Sequence, residues 1–131
     1  MTRVLFLCIG NAARSQMAEG FARSLAGDKV ESFSAGSKPA GLVDPLAIQA
    51  MKEKNIDISS QRSKGFDKIP AGEFDYVIGM GCGDTCPVAR TKQYIQWNIP
   101  DPKGKSIEEF RKVRDEIEQK IDDFIQLVII K

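Results

Sequence analysis

The sequence predicts a single-domain, three-layer α/β sandwich built on a four-stranded parallel sheet, spanning residues 1–131. Short apolar runs of strand length alternate with segments of helical period along the whole chain. The first apolar run ends at a cysteine and a glycine loop, and a helical pattern starts within a few residues. Successive parallel strands need crossovers of about the length of the intervening helical segments, and those crossovers are right-handed.

The elements follow in order. Arg3–Cys8 is a buried strand, with Val4, Leu5, Phe6 and Leu7 as its unbroken apolar run. A helix starts near Arg14 and turns Met17, Ala18, Phe21, Ala22 and Leu25 inward, with Gly27 as its C-cap. Lys29–Ala35 is the second strand, with Val30 and Phe33 inside. Asp44-Pro45 opens the second helix, the acid as N-cap and the proline at the first helical position. Ala47, Ile48, Met51 and Ile56 supply its apolar face, and Asn55 closes it in a left-handed conformation. Residues 57–65 are polar and irregular. Phe74–Met80 is the third strand and Tyr94–Asn98 the fourth. Ser106 to Glu109 has the spacing of a capping box. The helix it opens presents Ile107, Phe110, Val113, Ile117, Ile121, Phe124, Ile125 and Val128 on one face. Phe66, Tyr94 and Trp97 are assigned to the core.

Composition narrows the function. A net charge of +1 with no basic stripe gives no electrostatic case for nucleic acid. Met1-Thr2-Arg3 and the short apolar run behind it do not form a signal peptide, and Leu127 to Ile130 is too short to span a membrane. A cytoplasmic monomer is expected. Three cysteines in such a chain point to redox, catalytic or metal chemistry rather than to a disulfide framework. Histidine is absent, which removes the usual general base and the commonest metal ligand.

Ligands of parallel sheets bind at the carboxyl ends of the strands. Cys8, Cys82 and Asp101 follow the first, third and fourth strands, so the topology gathers them on one edge. Five residues separate Cys8 from Arg14, enough for Ile9, Gly10, Asn11, Ala12 and Ala13 to curl round one tetrahedral anion. Their amides point inward and Arg14 adds a bidentate fork. The helix N-terminus behind them favours both the anion and the thiolate form of a cysteine. Ser15 is placed to donate to the Cys8 sulfur, Gly10 to let the backbone approach closely, and Asn11 to pin the loop. Asp101, on a proline-stiffened loop, is the candidate proton donor in a chain without histidine. Cys82 and Cys86, four residues apart, suit a dithiol relay. Buried small residues are the plain alternative, and too few ligands are present for structural zinc, so no metal is expected. No aromatic residue falls in Ser34–Leu42 and Lys103 follows Asp101-Pro102, which predicts a small, polar, inorganic substrate.

The run from Cys8 to Gly20, together with Asp101-Pro102, resembles the low-molecular-weight protein tyrosine phosphatase superfamily. Within it the chain is most similar to the thioredoxin-coupled arsenate reductases. Ser34-Ala35-Gly36, Ile56-Asp57-Ile58-Ser59 and Phe110 to Asp115 extend the likeness nearly end to end. Gln16, Lys103 and the Cys82/Cys86 pair stand on the reductase side. The resemblance implies that Cys8 attacks arsenate, that Cys82 then attacks Cys8, and that a final Cys82–Cys86 disulfide is reduced by thioredoxin. Glutaredoxin with glutathione is the alternative donor, and no bound cofactor is implied. Phosphate and sulfate are expected competitors. The plainer alternative is a phosphatase using Cys8, Arg14 and Asp101. Some members of the family hold potassium near the loop. Asn11 and Glu19 match part of that site, but Lys64 stands close to the place of an acidic ligand, so no potassium requirement is expected.

Overall fold

The computed structural model describes residues 1–81 and 90–129. Four strands are present: β1 (Thr2–Cys8), β2 (Val30–Gly36), β3 (Phe74–Gly79) and β4 (Thr91–Gln96). They form one parallel sheet in the order β2-β1-β3-β4, with Cys8 paired to Gly36 at its upper edge. The helices are α1 (Arg14–Ala26), α2 (Pro45–Lys52) and α3 (Ile107–Phe124), and α3 runs on into a π-turn over Ile125–Ile129. Among the described residues, no helix is long and apolar enough to cross a membrane.

The central strand β1 is buried on both faces, which is why its apolar run is unbroken. Val4 and Phe6 point into the larger core, with Met17, Phe21, Met51, Phe110, Ile117 and Ile121 from the helices. Leu5 and Leu7 point the other way, onto Ala35, Phe74 and Val77. That second face is covered by Phe66 and Ile69, on and beside a 3₁₀ turn at Phe66–Lys68. The Arg3 guanidinium lies over the Phe33 and Phe74 rings at 5.3 and 4.8 Å.

Helix ends divide into expected and unexpected. Asp44 caps α2 as its sequence requires, its carboxylate accepting from Leu46 N at 2.9 Å. Beyond α2, Asn55 takes φ 62°. Asn55 N donates to Lys52 O and Ile56 N to Met51 O, the two bonds of a Schellman turn. Gly27 does end α1, but in the right-handed region at φ −61°. The capping box at Ser106 is not made: no side chain caps α3, and Glu109 pairs with Lys112 instead. The Ser106 hydroxyl serves Glu108, which helps hold that carboxyl below its ordinary range after the bond to its own backbone.

Several side chains depart from the sequence expectation. The fourth strand begins three residues earlier than Tyr94 and stops at Gln96. Tyr94 is exposed, and its hydroxyl donates to Gln96 Oε1 at 3.1 Å. Trp97 and Phe66 do pack as expected, Trp97 against Phe6 and Phe124. Leu25 and Val128 are exposed, because the helices turn them past the edge of the core. Arg114, a charged residue on the buried side of α3, is 7% exposed. It donates to Ala50 O at 3.0 Å and to Glu53 Oε1 at 2.7 Å, so its charge is paired and α2 is tied to α3. Arg111 adds a bidentate grip on the same carboxylate, with bonds from 2.8 to 3.2 Å. Hydrogen bonds from Arg111 and Arg114 bring the Glu53 carboxyl down to about 2.

Candidate active site

The loop between β1 and α1 is built outward from its carbonyls. Cys8 O, Ile9 O and Gly10 O accept from the backbone of Ser37, Lys38 and Ala40 at 3.3, 2.9 and 2.9 Å. Ala12 O accepts from Asp44 N at 2.9 Å and Ala13 O from Met17 N at 2.9 Å. Asn11 O accepts from Gln16 Nε2 at 3.0 Å. Every carbonyl from Cys8 to Ala13 is thus engaged by a donor. By contrast, no backbone N–H from Gly10 to Arg14 donates in any bond among the described residues. No side chain caps α1 at Ala13 either. A row of unclaimed amides at a helix N-terminus is an anion cradle.

Cys8 is a free thiol, 2% exposed, at the base of that cradle. Its sulfur lies 2.9 Å from Ser15 Oγ. Asn11 Nδ2 donates to the same hydroxyl at 2.8 Å, and Asn11 itself sits at φ 48°. Arg14 forms the rim. It is 5% exposed, donates to Ile99 O at 3.1 Å and lies 3.5 Å from Asp101 Oδ2. A guanidinium has five N–H donors, so most of the fork is left for a ligand. Asp101 is half exposed and accepts from Lys103 N at 3.0 Å, an Asx turn that aims the carboxylate at the rim.

A cleft of about 330 Å³ opens above the loop. Cys8, Arg14 and Asp101 line it together with Lys38, Leu42, Pro45 and Lys103, and among the described residues no aromatic side chain does. The sequence-predicted residues Cys8 to Ser15 and Asp101 are therefore brought together. Cys82 and Cys86 lie outside the described residues.

Other contributors act through contacts between distant segments. Gly36, directly opposite Cys8 in the sheet, is one: a Cβ there would stand 2.4 Å from Ile9 O and 2.9 Å from Asn11 N. Gly81 is another, at φ 91°, where a Cβ would stand 2.4 Å from Arg14 Nη1. Gly10, by contrast, is crowded by nothing nearer than Ala12 Cβ at 4.0 Å, so the protein itself does not require its smallness. Ser63 braces the loop by donating to Gly10 O at 3.1 Å, and Lys64 N donates to Asn11 Oδ1 at 2.8 Å.

Beside the loop, the Lys64 ammonium donates to Ser34 Oγ at 3.2 Å and to Arg62 O at 3.0 Å, and lies 3.8 Å from Glu19 Oε1. A cation's charge is thus already present among these oxygens. Burial lowers the Lys64 pKa, and Glu19 partly offsets it.

Comparison with known proteins gives the family. Residues 3–130 match the family model for low molecular weight phosphotyrosine protein phosphatase. Arsenate reductase 2 of Staphylococcus saprophyticus is 44% identical over 125 residues, covering 92% of this chain and 94% of that one. The glutaredoxin arsenate reductase of a Synechocystis species is 40% identical over 128 residues, 95% of this chain and 97% of that one. Among solved structures, an arsenate reductase in the phosphate-binding state superposes with a TM-score of 0.84 at 36% identity, covering 96% of this chain and 98% of that one. The thioredoxin-dependent arsenate reductase of Corynebacterium glutamicum gives 0.78 at 34% identity, covering 96% of this chain and 61% of its own. With a family model matching nearly the whole chain and relatives at 40% identity and above over more than nine-tenths of it, this chain belongs to the low molecular weight phosphotyrosine protein phosphatase family.

Proposed function

We propose that this protein is an arsenate reductase, which converts arsenate to arsenite through a relay of three cysteines. The observation that carries the reading is the cradle: unclaimed amides, a buried guanidinium and a free thiol around a space for one small tetrahedral anion. The relatives named as arsenate reductases at 40% identity and above support the same substrate.

In the first step the Cys8 thiolate attacks arsenic, held by the loop amides and Arg14. An As–S bond forms and one As–O bond breaks. Asp101 gives the departing hydroxide its proton, so that it leaves as water. In the second step the Cys82 thiolate attacks the Cys8 sulfur. The S–As bond breaks and its electron pair stays on arsenic, which leaves as arsenite, while a Cys8–Cys82 disulfide forms. In the third step Cys86 attacks Cys82, which frees Cys8 and leaves a Cys82–Cys86 disulfide for an external dithiol. Two thiols have then lost two electrons, and arsenic has gained two. Phosphate shares arsenate's shape and charge and enters the same cradle, but phosphorus(V) cannot accept that electron pair. The sequence order supports this route: Cys82 follows directly on Gly81, the glycine that packs against Arg14.

Thioredoxin is the proposed donor, by analogy with the Corynebacterium glutamicum enzyme. Glutaredoxin with glutathione is the alternative, by analogy with the Synechocystis protein. A monomeric, cytoplasmic domain is proposed with the reductase activity. Arsenate-dependent NADPH oxidation, measured in parallel with thioredoxin and its reductase and with glutaredoxin, glutathione and theirs, tests the proposal. Turnover with one donor system is expected. A protein that hydrolyses an aryl phosphate but consumes no NADPH with either donor would be a phosphatase instead.

A further inference from the structure

Behind the cradle, away from the cleft, two glutamine side chains form an amide clasp. Gln16 is fully buried. Its Nε2 donates to Asn11 O at 3.0 Å, Asn11 Oδ1 at 2.9 Å and Arg62 O at 2.7 Å. Two of these acceptors are main-chain carbonyls, which identifies the group facing them as the nitrogen. Gln16 O and Oε1 accept in turn from Gln61 Nε2 at 3.0 and 2.7 Å.

The polarity of the next link is also fixed. Lys64 N–H can only donate, and it points at the Asn11 side chain at 2.8 Å. The atom facing it is therefore Asn11 Oδ1, and Asn11 Nδ2 is turned towards Ser15 Oγ, 2.8 Å away. Ser15 has one hydroxyl proton. With Asn11 donating into its oxygen, that proton is free to point at the Cys8 sulfur, 2.9 Å away. A thiolate accepts and cannot donate, so the chain of donors runs one way, from Lys64 N–H and the Gln16 amide through Asn11 and Ser15 to sulfur. Asn11 holds this place fully buried and at φ 48°, in the left-handed region that asparagine tolerates.

The geometry points to Gln16 as the positioning residue that fixes Asn11, and through it Ser15, so that a hydroxyl proton is directed at the Cys8 sulfur, with Gln61 as its brace. Gln16 touches neither sulfur nor anion. Its three acceptors span the loop at Asn11 and the neighbouring segment at Arg62, so it joins the cradle to a part of the chain 46 residues away. This inference rests on the anion-loop reading of Cys8 to Ser15 and does not depend on arsenate reduction.

The test uses Gln16→Met and Gln61→Met, which keep length and apolar stem but remove the amides. Sodium sulfate affinity is measured by calorimetry. Alkylation of Cys8 by iodoacetamide is followed by peptide mass spectrometry across pH. Gln16→Met is expected to weaken sulfate binding about fivefold, the loss of roughly one net hydrogen bond. It should also move the alkylation profile to higher pH, as the sulfur loses its directed donor. Gln61→Met should shift both in the same direction by less. A Gln16→Met protein with a lowered melting temperature but unchanged sulfate affinity and alkylation profile would reduce the clasp to a purely structural tie and overturn the inference. If Gln16→Met does not fold, Gln61→Met decides alone, and no change in either readout refutes it. Failure of the unaltered protein to bind sulfate would sink the loop reading itself, a result distinct from binding that both variants retain.

Discussion

Replacing Gly36 with alanine is predicted to damage the anion cradle without replacing any residue in it. The added Cβ would stand 2.4 Å from Ile9 O, 2.9 Å from Asn11 N and 3.0 Å from Asn11 Cβ. Ordinary contact begins about 1 Å farther out than the first of these distances, and two of the three neighbours are backbone atoms that cannot rotate aside. Either the end of β2 or the start of the loop must shift by that amount. The hydrogen bonds from Ser37 N to Cys8 O and from Lys38 N to Ile9 O straddle the clash and would stretch. Overpacking of this kind costs about 1–3 kcal/mol, and weakened hydrogen bonds bring the expected loss to the upper half of that range. For a domain of this size the melting temperature should fall by roughly 6–12 °C. Sulfate or arsenate affinity should fall with it, because the amides move with the carbonyls. Gly10→Ala is the paired control, since a Cβ there meets only Ala12 Cβ at 4.0 Å. It should leave the melting temperature within about 2 °C of the parent. A Gly36→Ala protein that melts like the parent and binds sulfate equally well would refute the reasoning.

Three further outcomes follow from other parts of the molecule. The Glu53 carboxyl is brought from its ordinary 4.5 to about 2 by Arg111 and Arg114, so its stabilising effect is complete above about 4.5 and is lost as pH falls towards 2. Thermal melts across that range should therefore show Glu53→Gln less stable than the parent at neutral pH, with the gap closing in acid; a gap independent of pH would contradict the assignment. Because the Lys64 ammonium already sits among Ser34 Oγ, Arg62 O and Glu19, exchanging sodium for potassium should change neither melting temperature nor turnover, and a potassium-dependent rise in either would count against this. Asp101→Asn keeps the shape of the rim but removes the proton donor, and arsenate turnover should fall by about 10²–10⁴ with sulfate affinity little changed; undiminished turnover would remove Asp101 from the chemistry.

Much of this was legible in the residues because the signals were local. The unbroken run Val4 to Leu7 needs burial on both faces, and only a central parallel strand offers it. Asp44-Pro45 supplies the N-cap acid and first-position proline of a helix, and Asn55 tolerates the left-handed turn that closes it. The cradle was readable for the same reason, since Cys8 to Ser15 is one contiguous stretch. The parts that escaped depend on contacts between distant segments. Gly36 and Gly81 matter only because Asn11 and Arg14 lie against them in space. The pairing of Arg114 with Ala50 and Glu53 looks like a misplaced charge until α2 is laid against α3. Ser106 has the spacing of a capping box, but its hydroxyl finds Glu108 first. Tyr94 has the composition of a core residue, but β4 is the edge strand, and its side chain is turned outward.

Disulfide mapping after a single turnover tests the central claim most directly. The fully reduced protein is mixed with excess arsenate and no external reductant, then trapped with alkylating agent and digested. The proposed relay predicts about one arsenite per chain with a Cys82–Cys86 disulfide in the parent protein, because each chain holds one pair of transferable electrons. It predicts one arsenite with a Cys8–Cys82 disulfide in Cys86→Ser, and no arsenite in Cys8→Ser. Arsenite released with all three cysteines still reduced, or a Cys86→Ser protein whose Cys8 never joins Cys82, would contradict it.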